Sequence, residues 1–148
     1  MSQVQIINKK IKIAVMDDEK QIGEIAFNPD DDRTYNRFID LAEILINGKR
    51  NIDSIQYDEN ELNNKLETIE DFENASAILG KMKMALNIAD STLMEVCKGF
   101  DEIFGAGVCD LFMQGDHDAE LLIPLIDAVT PYFKKVRDKK TGKYRAKK

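Results

Sequence analysis

His117 stands between Asp116 and Asp118. A carboxylate beside an imidazole can orient it for general-base work. It is the single histidine of the chain, however, and no serine, cysteine or second histidine lies at a recognisable catalytic spacing from it. A partly exposed histidine at a helix start is the ordinary reading. The run Asp30-Asp31-Asp32 suggests calcium. A calcium loop needs glycine at its sixth position and glutamate at its twelfth. Counted from Asp30 those places hold Tyr35 and Leu41, and counted from Asp116 they hold Leu121 and Asp127. Both aspartate groups therefore read as helix caps. Cys97 and Cys109 lack the Cys-x-x-Cys spacing of redox and zinc sites. Cys97 reads as a buried, inert thiol, and Cys109, near a turn, as the more exposed of the two. Gly105-Ala106-Gly107 precedes a short helical turn, where phosphate can bind. With no preceding strand and no Walker lysine it reads as a tight helix corner. No catalytic, metal or cofactor set emerges, and none is expected.

A length of 148 residues suits a single domain that hides roughly 70% of its unfolded surface. Hydrophobic residues make up 43% and charged residues 32%, which excludes a disordered chain. No apolar run reaches about 18 residues, so no membrane-spanning helix is expected. The opening Met1-Ser2-Gln3-Val4-Gln5 is not read as a secretory leader. A reducing compartment is the default.

The expected class is α+β, mainly α. Val4 and Ile6, then Ile11, Ile13 and Val15, then Ile25 and Phe27 alternate with their neighbours, which predicts a three-stranded antiparallel meander over 1–29. Asn28-Pro29 ends it. About five helices follow over 30–138. The first, 31–47, opens at the aspartates, carries the stripe Tyr35, Phe38, Ile39, Ala42, Leu45 and Ile46, and stops at Asn47-Gly48. From Asp58 to Phe104 the helical period is continuous. A capping box, Thr92-Leu93-Met94-Glu95, places a break near Asp90 and predicts helices over 58–89 and 92–103. The longer one would measure about 48 Å, more than its domain needs. Its seam, Leu62, Leu66, Ile69, Phe72, Leu79, Met82 and Leu86, is the candidate surface for self-association or partner binding. Phe104, Gly105 and Gly107 form the structural corner, with one helical turn over 108–113 after it. The last helix starts at Asp116-His117-Asp118, has Pro124 and Pro131 inside it, and is broken at Thr141-Gly142. The domain is placed at 1–138 and a flexible basic tail at 139–148.

Charge is unevenly spread. Residues 134–148 hold nine basic side chains and one acid, whereas the rest holds 12 basic and 26 acidic ones. The net charge of −6 is thus a body of −14 joined to an end of +8. A basic end attracts nucleic acid and an acidic body repels it. With Tyr144 as its only aromatic, the basic end is poorly suited to stacking on bases. Nucleic acid is an unlikely partner, although a small nucleic-acid-binding regulator is the alternative to the reading below. Pairing of body to tail between copies is open to such a molecule.

Two segments together carry a resemblance. One is Ile25-Ala26-Phe27-Asn28-Pro29-Asp30 with the following Tyr35, Phe38 and Leu41; the other is Phe100-Asp101-Glu102-Ile103-Phe104-Gly105-Ala106-Gly107-Val108-Cys109-Asp110-Leu111-Phe112, followed by a proline-bearing apolar helix and a lysine-rich end. In layout and short motifs the chain resembles the tail assembly chaperones of long-tailed bacteriophages of Gram-positive hosts. The resemblance implies a non-enzymatic protein that multimerises around the tape-measure protein and keeps it soluble. Major tail tube protein then replaces it. It further implies residence in the host cytoplasm, absence from the mature virion, and often a longer frameshifted product. Ala106 stands where such proteins commonly have an acid or glycine, and Phe112-Met113 where they have Phe-Gly.

Overall fold

Alternating apolar residues build a hairpin. In the computed structural model, which describes residues 2–5, 10–63 and 65–146, β1 (Ile11–Asp17) pairs antiparallel with β2 (Lys20–Phe27). Ile11 faces Phe27 and Ile13 faces Ile25, and the register shifts at Val15/Met16. Val15, Ile25 and Phe27 turn inward and are buried. The described sheet has two strands, not the three expected. Residues 2–5 form no strand, with Val4 exposed, and 6–9 lie outside the described residues.

Helix α1 spans Asp32–Asp53. Asp31 caps it, its Oδ1 accepting the Arg33 amide at 2.9 Å. The expected stop at Asn47-Gly48 does not occur. Gly48 is buried inside the helix, and a Cβ there would lie 2.5 Å from Thr92 Cγ2. The missing side chain serves close helix approach rather than helix termination. Gly99 repeats the device from the other side, where an added Cβ would meet Leu41 Cδ2 at 2.5 Å.

Helix α2 is a single rod, Ile69–Phe104, of 36 residues and about 54 Å. The break expected near Asp90 is absent. Thr92 packs on Gly48 in mid-helix, so its side chain is engaged in helix contact. The working capping box lies upstream. The Asp71 amide donates to Thr68 Oγ1 at 3.1 Å, and the Thr68 amide donates to Asp71 Oδ2 at 3.2 Å. Residues 59–63 form a separate 3-10 turn. Leu62 therefore sits in that turn and Leu66 in the connecting segment, and neither is on the helix.

Helix α3 (Val108–Met113) follows the glycine corner. A 3-10 turn, Ala119–Leu122, then leads directly into α4 (Ile123–Ala146). Pro124 falls in the first turn of α4, where its lack of an amide costs little, and Pro131 lies inside the helix. Thr141-Gly142 does not end α4. The described residues thus hold four α-helices rather than about five.

The core gathers at one end of α2. Leu93, Val96, Phe100 and Phe104 meet Phe27 of the hairpin, Phe38 and Leu41 of α1, and Leu125, Val129 and Phe133 of α4. Its aromatic centre has Phe38 stacked on Phe133 at 5.0 Å and Phe27 edge-on to Phe104 at 5.3 Å. The other half of α2 contributes only Ile78 and Ala85 to the buried set. The two ends of the chain's charge also meet. Asp32 Oδ1 takes the Arg137 guanidinium at 2.8 Å and the Lys140 ammonium at 3.0 Å, and Arg137 Cζ lies 4.2 Å from the Tyr35 ring centre.

Candidate partner-binding surface

On α2 the residues Phe72, Leu79, Leu86, Leu93 and Phe100 recur at intervals of seven, interleaved with Ala75, Met82, Ala89 and Val96. A seven-residue apolar repeat keeps one stripe facing a partner helix. The C-terminal part of the stripe is satisfied within the chain, since Leu93, Val96 and Phe100 are buried. The N-terminal part is not. Phe72 is 64%, Leu79 54% and Leu86 63% exposed. Ile69, beside the stripe, is 80% exposed, and Leu66, before the helix, is 53% exposed. Met82 and Leu62 are half-buried. The structure thus puts Ile69, Phe72, Leu79, Met82 and Leu86 on one rod and leaves Leu62 and Leu66 off it.

The stripe runs into a groove. A mostly apolar cavity of about 650 Å³ lies where Ala89 and Leu93 meet Leu45, Ile46 and Ile52 of α1 and Ile123 at the start of α4. Lys49, Arg50 and Asp53 edge it on the α1 side, and His117, Asp118 and Glu120 on the other. The sequence reading missed this groove. It put Ile46 in the common stripe of α1, whereas Ile46 and Ile39 are exposed. The seven-residue spacing continuing through Leu93 was the signal that pointed along α2 toward it.

The groups with chemical potential are engaged otherwise. His117 is exposed on the rim of the groove, and Asp118 Oδ1 caps the next turn by accepting the Glu120 amide at 3.0 Å. Asp31 caps α1, and Asp32 binds Arg137 and Lys140 of α4, as described above. The Lys140 ammonium and, secondarily, the Arg137 guanidinium hold the Asp32 carboxyl below its ordinary pKa. Lys140 also donates to the Asp30 carbonyl at 3.1 Å. Both cysteines are free, and their burial is the reverse of that expected: Cys109 is fully buried in the core beside the corner, and Cys97 is half-buried against it. Burial raises each thiol pKa, well above the ordinary range for Cys109. Among the described residues no group of three or more His, Cys, Asp or Glu could hold a metal ion. Among them, too, no helix is long and apolar enough to cross a membrane.

The corner after α2 has a definite construction. Phe104 is fully buried, Gly105 has φ +128° and Gly107 has φ +78°. Side chains rarely adopt such angles, which accounts for both glycines. Asp101 reaches across the turn, its Oδ1 accepting the Cys109 amide at 3.0 Å at the start of α3. Asp101 thereby fixes the α2–α3 angle, a role the sequence alone did not disclose. No protein-family model, curated protein or solved structure matches this chain.

Proposed function

We propose that this chain is a non-enzymatic phage tail assembly chaperone, which associates with itself and binds the tape-measure protein through the α2 stripe. It keeps that long helical client soluble until major tail tube protein takes its place. It works in the host cytoplasm and leaves before the virion is complete. The observation that carries the reading is the division of α2. One half anchors the core, while the other holds Phe72, Leu79 and Leu86 in water on the same repeat. Scattered exposed apolar residues are common on proteins, but an ordered stripe of them marks an interaction site. An amphipathic helix offers such a stripe to another helix. The corner Phe104–Gly107, fixed by Asp101, supports the reading through the motif that carries the family resemblance.

The test is co-expression with the tape-measure protein of the same phage. The client stays in the soluble fraction and co-purifies with this chain. Equal precipitation with and without the chain overturns the proposal.

A further inference from the structure

The geometry points to a second copy of this chain as the occupant of the groove, paired antiparallel along α2 so that Phe72 of each copy enters the groove of the other. The inference rests on the self-association proposed above and specifies its surface. The stripe alternates in size: Phe72, Leu79 and Leu86 are large, whereas Ala75 and Ala89 are small, with Met82 between. In an antiparallel pair, residues of the two repeat series face each other across the axis. One register sets Leu79 against Met82, Leu86 against Ala75 and Phe72 against Ala89, so each large side chain meets a smaller or more pliant one. In a parallel pair Phe72 meets Phe72 and Ala89 meets Ala89, which leaves the layers alternately crowded and empty.

The ends of the rod make the same choice. From Leu93 onward the stripe of α2 is covered by the chain's own core. Two parallel copies would bring these covered halves together. In the antiparallel register, residue 68 of one copy reaches Leu93 of the other. Thr68 caps the start of α2, so the incoming helix ends opposite Leu93, a residue of the groove lining. The exposed parts of Ile46, Ile69, Phe72, Leu79, Leu86 and Ile123 offer on the order of 700 Å² per copy, close to the roughly 800 Å² per partner of a standard interface. A client helix would compete for the same stripe, so pairing shields it while no client is present.

The experiment joins sedimentation with crosslinking on the full chain. Sedimentation at tens of micromolar gives a dimer, and Phe72→Glu gives a monomer with an unchanged helical spectrum. With p-benzoylphenylalanine in place of Phe72, light yields a crosslinked dimer whose junction maps to residues 86–93 or 45–52 of the second copy. A monomeric wild type, or junctions at residues 69–75 of the second copy, overturns the inference. A monomer that still holds the tape-measure protein in solution removes the pairing alone. A dimer that fails to hold it removes the proposed function alone.

Discussion

Replacing Phe72, Leu79 and Leu86 together by glutamine separates a binding stripe from a core. Full burial of one such side chain is worth about 1.5–3 kcal/mol. These three keep between 54% and 64% of their surface in water, so the isolated chain draws less than half of that from each. Glutamine is a good helix former and retains part of the aliphatic contact. The triple variant should therefore lose only about 2 kcal/mol. Phe100→Ala, at a fully buried position stacked on Phe38, should by itself lose about 3–5 kcal/mol. The assay is urea unfolding followed by far-ultraviolet circular dichroism at sub-micromolar protein, where pairing between copies adds little to stability. At higher concentration the wild type gains stability and the triple variant does not. A loss of about 6 kcal/mol or more in the dilute triple variant would mean that the stripe packs against its own chain, and the division of α2 would be wrong.

Other outcomes follow from single contacts. Gly80 has open space where a Cβ would go, so Gly80→Ala should raise stability by about 0.5–1 kcal/mol. Gly99→Ala drives a methyl into fully buried Leu41 and should lower it by about 1–2 kcal/mol despite the better helix propensity; thermal melts of the pair show opposite shifts. Asp32 has a folded pKa below its unfolded one, so the stability it lends is complete above the ordinary aspartate value of about 4 and is lost as pH falls through the lowered value. Asp32→Asn should flatten the acid limb of a melting-temperature profile, and a limb of unchanged steepness contradicts the clasp of α4 on α1. Burial that raises the Cys109 thiol should leave it unreactive toward a disulfide reagent at pH 8 until the chain unfolds, and rapid labelling of the native protein counts against the packed corner.

The hairpin was legible because alternation reports a half-buried strand directly: Ile13, Val15, Ile25 and Phe27 fall where period two puts them. The start of α1 was legible from its aspartates. Helix ends were not, because the same residues carry two meanings. Gly48 reads as a stop, yet it is a contact point; Thr92 reads as a cap, yet it fills the space that Gly48 leaves. Only the neighbour across the helix pair decides, and a sequence does not display that neighbour. The candidate stripe was read correctly as helical from Ile69 to Leu86, but its extent was misjudged at Leu62 and Leu66. Periodicity marks an apolar face without saying whether the chain itself covers it. Of the groove only the α2 wall, Ala89 and Leu93, had a signal in the spacing; the walls from α1 and the turn before α4 did not, since they meet α2 only in the folded chain.

The most direct measurement compares wild type with the Phe72/Leu79/Leu86→Gln variant in holding the tape-measure protein. Both chains are expressed to equal soluble levels beside the client, and the client is quantified in the supernatant after centrifugation. The account predicts a soluble client with wild type and a pelleted client with the variant. A client kept equally soluble by the variant would show that binding does not run through the exposed half of α2.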